Sequence, residues 1–149
     1  SQVKKALGVS GLSASSLILE IPVKANVSYN DSTHILTDLK AVGISVAIDS
    51  YGTEDISLKM LKNSYVDIIN IPCVLLSEKD EEFDRVLINS IELAHCKDIK
   101  VCIKGIEDES MLRAASDYDI DWVQGYYCSK PLWSDEAAKI LIGSLRKTL

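Results

Sequence analysis

Short apolar runs alternate with amphipathic stretches along the whole chain. Each of five runs is rich in aliphatic and β-branched residues and short enough to be a strand buried on both faces. The predicted strands cover residues 17–21, 44–48, 65–71, 99–104 and 122–126. Strands that alternate with helices at this spacing predict an α/β fold with a parallel sheet.

The stretches between the strands carry apolar residues at helical spacing. Several also begin with a capping or acidic residue, or end at glycine, as helix termini favour. Helices are predicted before Gly8, from Asn30 or Asp31 to Gly43, after Thr53, after Ser77, over residues 110–115 and from Ser134 onward. The helix after Ser77 is predicted to bury one stripe, formed by Phe83, Val86, Leu87, Ser90, Ile91 and Ala94.

One strand–loop–helix unit indicates where chemistry could be placed. The apolar run at residues 44–48 ends on Asp49, residues 50–52 turn the chain, and Thr53 can cap the next helix. A strand that delivers a carboxylate at its C-terminal end is the unit from which β/α enzymes build their sites. A lone Asp is also a common turn former, so Asp49 alone leaves both interpretations open.

The same arrangement recurs at the other predicted strands. Polar side chains stand at the ends of otherwise apolar runs, and they are Glu20, Asp49, Asn70, Lys104 with Glu107, and Gln124. Because the C-terminal ends of parallel strands meet at one edge of the sheet, we predict that these groups face a common cleft. The alternative is a ring of salt bridges with a purely structural role.

Composition narrows the classes of function. The chain has 149 residues, which suits one compact domain, and a net charge of -6, which argues against a DNA-binding or RNA-binding surface. No apolar run approaches the roughly 18 residues of a membrane span, and no leader pattern opens the chain. The four cysteines lack metal-site spacing, and neither His34 nor His95 is at ligand spacing, so we predict buried, reduced thiols and a cytoplasmic protein without zinc.

Several segments resemble the motifs of the EAL-domain phosphodiesterases, which hydrolyse cyclic di-GMP. Residues 49–53 (DSYGT) resemble the DDFGTG loop of that family, and residues 124–131 (QGYYCSKP) resemble its QGYYFSKP signature. Residues 104–107 (KGIE) stand where the family has EGVE, and residues 19–23 (LEIPV) stand at its LELTE-like strand. The motifs follow the family's order over nearly the whole chain.

The resemblance implies a fold and a set of site residues. It implies a partial TIM barrel, in which residues 1–149 form one domain that supplies about the last five βα units and lacks the N-terminal part. In active members, carboxylates hold two divalent cations, Mg²⁺ or Mn²⁺, at the strand ends. The implied metal positions are Glu20, Asp49 and Glu107, and the implied nucleotide contacts are Gln124, Tyr126 and Tyr51.

The departures from the family's motifs fall on the positions that matter for catalysis. Ser50 replaces the second Asp of DDFGTG, Asn70 replaces the catalytic Lys, and Lys104 replaces a metal-binding Glu. Further departures are Val23, Glu54 and Pro72. We therefore expect no intact catalytic set and no bound metal cofactor, with Lys104 bridging Glu20 and Asp49 instead.

Three functions from different classes follow from this pattern. The first is a degenerate, non-catalytic EAL domain that regulates through contacts with an unidentified protein. The second is a non-hydrolysing cyclic di-GMP receptor, and the third is an active phosphodiesterase with an unusual site. Because an open five-stranded arc exposes sheet edges and an apolar inner face, we also expect a homo-oligomer.

Overall fold

The fold is an alternation of parallel strands and helices. A computed structural model describes residues 2–22, 29–53, 61, 65–77 and 81–145. The strands are β1 (Ile18–Pro22), β2 (Ser45–Asp49), β3 (Ile68–Pro72), β4 (Lys100–Lys104) and β5 (Trp122–Gln124). The helices of the described residues are α1 (Gln2–Ser10), α2 (Tyr29–Val42), α3 (Glu81–His95), α4 (Glu109–Ser116) and α5 (Ser134–Leu145), with 3₁₀ turns at Ala14–Ser16 and Cys73–Ser77.

The five strands form one sheet in which every neighbouring pair is parallel. The spatial order is β1-β2-β3-β4-β5, the order of the sequence, so each strand lies beside the one that precedes it in the chain. This confirms the predicted α/β class and the five predicted strands. None of the helices in the described segments is long and apolar enough to cross a bilayer.

The alternation of side chains along each strand gives the sheet two different faces. The helix-covered face holds the main core, in which Ile48, Ile69 and Val101 belong to the same cluster as Leu87 and Ile91 of α3. The opposite, inner face carries a separate small cluster, Ala47, Ile68 and Cys102. The polar strand ends continue this inner face, so packing on the helix side leaves them available to one another.

Several element ends differ from their predicted positions. Gly8 does not stop α1, because the helix continues to Ser10 and ends where Gly11 adopts a φ of 69°. β3 begins at Ile68 rather than at residue 65. β5 ends at Gln124, because Gly125 turns the chain against another loop, and Tyr126 therefore lies outside the strand.

Two predictions of burial need correction. Cys73 and Cys102 are buried as predicted, but Cys96 and Cys128 are exposed, because one follows the end of α3 and the other lies in the loop after β5. All four thiols are free. In α3, Leu87, Ser90, Ile91 and Ala94 are buried, whereas Val86 is 40% exposed.

The helix predicted after Thr53 and the capping by the Ser77 side chain lie outside the described residues.

The N-terminal ends of the strands are stabilised at two places by the same kind of hydrogen bond, from a backbone N–H to an aspartate side chain. Asp67 directly precedes β3, and its side chain accepts a hydrogen bond from Val46 N of β2 at 2.8 Å and pairs with Lys40. Asp121 directly precedes β5, and its Oδ2 accepts from Val101 N of β4 at 2.8 Å. Each aspartate thus satisfies a backbone donor near the start of a neighbouring strand.

Asp121 has two further partners. Lys100 Nζ donates to its Oδ1 at 2.7 Å, and His95 Nε2 lies 3.1 Å from Oδ2. Burial acts to raise the pKa of Asp121, but the hydrogen bonds from Lys100, Val101 and His95 outweigh it and the pKa is lowered. The ionised carboxylate is therefore favoured in the folded state.

The lowered pKa predicts how stability depends on acid. A carboxylate with a depressed folded pKa contributes stability above its unfolded pKa of about 3.9 and loses it as pH falls through the folded pKa. We expect Asp121→Asn to lower the free energy of unfolding at pH 7, with a difference from the unmodified chain that shrinks below about pH 4. Urea titrations at several pH values measure this; a difference independent of pH would contradict it.

Candidate functional site

The C-terminal ends of the strands bring most of the predicted polar residues to one edge. Asp49, Lys104 and Gln124 are the last residues of β2, β4 and β5. Glu20 and Asn70 each lie two residues before the end of their own strands, β1 and β3. Lys104 pairs in register with Gln124 on one side and with Pro72 on the other.

Lys104 connects two of the strand-end carboxylates. Its Nζ lies 2.9 Å from Glu20 Oε2 and 3.0 Å from Asp49 Oδ1. The Lys104 side chain is 23% exposed, whereas those of Glu20 and Asp49 are 44% and 33% exposed. The predicted bridge is confirmed, and one ammonium is shared between two carboxylates.

Asn70 donates a hydrogen bond to the other carboxylate oxygen of Glu20. The Asn70 side chain is almost fully buried, and its Nδ2 donates to Glu20 Oε1 at 2.9 Å. Both oxygens of Glu20 are therefore engaged, one by an amide and one by an ammonium. The sequence predicted that Asn70 faces the common cleft and identified it as a departure from a motif, but it did not predict the contact with Glu20, since nothing in a linear pattern shows which carboxylate an amide will reach.

The charge of Lys104 is favoured by its surroundings. Burial acts to lower the pKa of Lys104, but the hydrogen bonds to Glu20 and Asp49 and the charges of both groups outweigh it. The pKa of Lys104 is therefore raised, and the ammonium stays protonated at neutral pH. It serves as a fixed positive charge and not as a base.

Cys102 lies on the same inner face, two residues before Lys104 in β4. Burial raises the pKa of the Cys102 thiol to about 11, and the nearby charge of Lys104 only partly opposes this. The thiol stays protonated at neutral pH, so Cys102 is neither a nucleophile nor a thiolate ligand there.

The loop after β2 holds a residue in an unfavourable backbone conformation. Ser50 has a φ of 60°, in the left-handed region that costs an L-residue about 1–2 kcal/mol. Its carbonyl accepts hydrogen bonds from Thr53 N and Oγ1, and the next residue, Tyr51, donates its N–H to Asn70 O at 2.9 Å. These bonds hold the loop against β3 and fix the position of Asp49.

The nucleotide role suggested for Tyr51 needs correction. Its side chain is 1% exposed and belongs to the helix-side core, so its ring offers no face to a ligand. Burial raises the pKa of Tyr51, with the Ser90 hydroxyl opposing the shift. Tyr51 is buried because its ring packs among the apolar side chains of the helix-side core.

The other two suggested nucleotide contacts are accessible. Gln124 is exposed at the end of β5, and Tyr126 is 60% exposed in the loop that follows. Glu107 is also exposed, and its backbone N–H donates to Met111 Sδ at 3.4 Å, at the start of α4. Glu107 therefore lies outside the network that Lys104 forms.

A close contact between two loops positions Gln124. Its carbonyl accepts hydrogen bonds from Gly105 N at 2.8 Å and Ile106 N at 3.1 Å, and Tyr127 N donates to Ile106 O at 3.0 Å. At Gly125, a Cβ atom would lie only 2.0 Å from Ile106 O. Only glycine permits this approach, which explains one residue of the C-terminal motif.

The donor set does not fit the divalent ions that the resemblance implies. In the part of the chain that the structure describes, no three His, Cys, Asp or Glu side chains are grouped so that they could hold a metal ion. Glu20 and Asp49 are joined by an ammonium, whereas a hard cation needs several free, preferably anionic oxygens. Instead, the charges of the strand-end carboxylates are partly compensated by the Lys104 ammonium.

Comparison with known proteins identifies the source of these motifs. The family model described as "EAL domain" matches residues 1–131. Cyclic di-GMP phosphodiesterase NbdA of Pseudomonas aeruginosa is 31% identical over 140 residues, which is 88% of this chain and 17% of the relative. Cyclic di-GMP phosphodiesterase PdeA of Borreliella burgdorferi is 31% identical over 96 residues, 63% of this chain and 14% of the relative. The chain thus spans less than a fifth of these curated relatives.

Solved structures show the same fold. The EAL domain of Mycobacterium smegmatis DcpA superposes with a TM-score of 0.80 at 28% identity, covering 95% of this chain and 65% of that domain. The PaMucR phosphodiesterase in complex with c-di-GMP superposes with a TM-score of 0.77 at 24% identity, covering 91% and 56%. These neighbours are TIM-barrel-like, which agrees with the predicted fold class.

The close approach at Gly125 predicts a strong effect of a single methyl group. We expect Gly125→Ala to lower the free energy of unfolding by about 3 kcal/mol, because the Cβ would overlap the Ile106 backbone, whose N–H and carbonyl are held by hydrogen bonds to Gln124 and Tyr127. Thermal or urea unfolding measures the change. Gly8→Ala in α1 is the matched control, since no atom lies within 4 Å of its Cβ position, and equal effects of the two substitutions would contradict the argument.

Proposed function

Because the chain belongs to the EAL-domain family, we propose that it is a non-catalytic signalling domain of the cyclic di-GMP system that acts through protein contacts. The observation that carries this proposal is the position of Lys104, whose ammonium is shared by Glu20 and Asp49. Relatives named as phosphodiesterases supply the link to cyclic di-GMP. These relatives are several times longer than this chain, so the proposal concerns only the part of them that the chain matches.

Electrostatics supports the loss of metal binding. An ammonium about 4 Å from a divalent cation would be repelled by roughly 8 kcal/mol at an effective dielectric constant of 20. Solvent screening and side-chain movement reduce this figure without reversing its sign. Meanwhile the same ammonium is stabilised by two carboxylates that a metal ion would otherwise need as ligands.

Two further positions support the same conclusion. At Asn70 the resemblance places a catalytic Lys, but the amide present is neutral and already donates to Glu20. At Ser50 it places an Asp, so one anionic oxygen ligand is replaced by a hydroxyl. Each change removes a charge that metal-dependent hydrolysis would use, and together with Lys104 they leave no complete catalytic set.

Exposed aromatic and aliphatic side chains near the site support a function in protein contacts. They lie as two adjacent pairs in the segment after β5, with exposed fractions of 60% for Tyr126, 46% for Tyr127, 41% for Leu132 and 85% for Trp133. Helix α5 follows directly, and none of its described side chains is buried. Tyr and Trp are enriched in the energetically dominant parts of protein interfaces.

The proposal predicts that the unmodified chain does not hydrolyse cyclic di-GMP in the presence of Mg²⁺ or Mn²⁺. Chromatography of the reaction products measures this, with an active EAL phosphodiesterase as the positive control. Lys104→Met removes the repulsion without adding a ligand, so it should remain inactive. Metal-dependent turnover by the unmodified chain would refute the proposal.

Restoring the family's residues provides a second arm of this test. The combination Ser50→Asp, Asn70→Lys and Lys104→Glu, with an intact N-terminal barrel part supplied, should bind Mn²⁺ more tightly than the same protein that retains Lys104. Calorimetry with Mn²⁺ compares them directly. Equal affinities would show that the charge of Lys104 is not what prevents binding.

A non-hydrolysing cyclic di-GMP receptor is the second candidate function. Two observations favour it, the exposed Gln124 at the end of β5 and the accessible ring of Tyr126. Guanine bases can stack on such a ring, and an amide can hydrogen-bond to a base edge. The two carboxylates and one ammonium at the strand ends leave a net negative charge, which disfavours an anionic phosphodiester.

The two candidate functions differ in a direct binding experiment. If the receptor function holds, calorimetry should show micromolar affinity for cyclic di-GMP that Gln124→Ala and Tyr126→Ala each reduce about tenfold or more. Tyr51→Phe is the matched control, because the buried Tyr51 ring cannot reach a ligand. Absence of binding would leave the protein-contact function as the one supported.

A further inference from the structure

The network at the strand ends joins strands that are not neighbours in the sheet. Glu20 is in β1 and Lys104 is in β4, so their ion pair passes over β2 and β3. The hydrogen bond from Asn70 to Glu20 likewise joins β3 to β1 across β2. The ion pair with Asp49 also ties Lys104 to β2, one of the two strands in between.

These contacts require a curled sheet. Neighbouring strands lie about 4.8 Å apart, so β1 and β4 would be separated by about 14 Å across a flat sheet. The register pairs Glu20 with Ala47, Ala47 with Ile68 and Ile68 with Lys100, so Lys104 would also lie about 13 Å further along the strand direction. The two Cα atoms would then be about 19 Å apart, more than the roughly 14 Å that extended Glu and Lys side chains span with a hydrogen bond between them. The charged atoms of Glu20 and Lys104 are nevertheless 2.9 Å apart. Side chains on the inner face converge when a sheet curls as in a barrel wall, so this ion pair forms only in the curled state.

The strand held by these contacts has little support from burial of its own side chains. β1 is an edge strand of the described sheet, paired with β2 alone, and its burial pattern contains no fully buried residue. Its Glu20 side chain reaches the buried Asn70 amide and the Lys104 ammonium at the same time. The fixed end of the contact is therefore on β3 and β4, whose residues Ile69, Ile71, Val101 and Ile103 are fully buried.

We infer that Asn70 and Lys104 form an internal strut, which anchors the edge strand β1 across the inner face and holds the sheet curled without a divalent cation. Asn70 is the positioning residue, because it fixes one oxygen of Glu20 and so directs the other at Lys104. The inference rests on the proposed function only in taking the strand ends to be free of metal. It assigns to this altered site a conformational role in the fold.

Hydrogen–deuterium exchange of the full chain, followed by mass spectrometry, tests the strut. Lys104→Met and Asn70→Leu should each increase the exchange rate of peptides covering residues 17–22 about tenfold, because β1 then opens without loss of the β3–β4 core. Peptides covering residues 100–104 should be unchanged. Lys104→Gln serves as a second variant with a shorter polar side chain, in case the apolar replacement prevents folding.

Lys100→Met is the matched control. Lys100 lies on the same strand as Lys104 and also pairs with a carboxylate, Asp121, but at the opposite end of the sheet. This variant should leave the exchange of residues 17–22 unchanged. Equal acceleration by Lys100→Met and Lys104→Met, or acceleration spread evenly over all strands, would overturn the strut.

Adding EDTA or Mg²⁺ separates this inference from the proposed function. The strut predicts that neither reagent alters exchange in residues 17–22, and faster exchange in EDTA would overturn it. Hydrolysis of cyclic di-GMP by the unmodified chain would instead refute the proposed function. The exchange experiment can therefore support the strut even if the protein hydrolyses cyclic di-GMP. It can also overturn the strut even if the protein is non-catalytic.

Discussion

The strand ends of this domain depend on the sharing of one ammonium by two carboxylates. Lys104 of β4 lies within hydrogen-bond distance of Glu20 and Asp49, which belong to β1 and β2, the first two strands of the sheet. None of the three groups is fully solvated, so removing any one leaves partly desolvated charge behind, and that usually costs more than the ion pair contributes. The pair therefore constrains which residues are acceptable around it, even though its net contribution to stability is modest.

The fold makes this arrangement possible by separating its two faces. Isoleucine and valine side chains of β2, β3 and β4 fill the core beneath α3, and the alternation of a strand then directs their neighbours to the inner face. Backbone contacts between loops add precision, as where Gly125 packs against Ile106 and fixes the end of β5. The site is held by the apolar core on one side and by loop contacts at the edge, so its polar groups need not stabilise the fold alone.

Much of this architecture could be predicted from the sequence, because it follows from period-two alternation and from charge. The five strands and their parallel arrangement follow from short apolar runs that alternate with helical stretches. The bridge from Lys104 to Glu20 and Asp49 was predicted from the resemblance to the EAL-domain family. The burial of Tyr51 could not be predicted this way, since a tyrosine in a turn is compatible with either face of the sheet. The exposure of Cys96 and Cys128 and the hydrogen bond from Asn70 depend on tertiary placement, which no local pattern encodes. Residues 54–60 lie outside the described structure, so the helix predicted there stays a prediction.

The departures from the family's motifs are physically linked. Asn70 and Lys104 hold the two oxygens of one carboxylate, that of Glu20. The resemblance places a Lys at position 70, and a second ammonium there would face that of Lys104 across the same carboxylate, with like charges in a partly buried space. A neutral amide at position 70 is therefore the change that makes a Lys at position 104 acceptable, since it keeps a donor for Glu20 without adding charge. Conversely, a Glu at position 104 would place three carboxylates together and would need a cation to balance them. Positions 70 and 104 therefore form alternative sets, and in the set that this chain carries the cation that offsets part of the negative charge is its own Lys104 side chain.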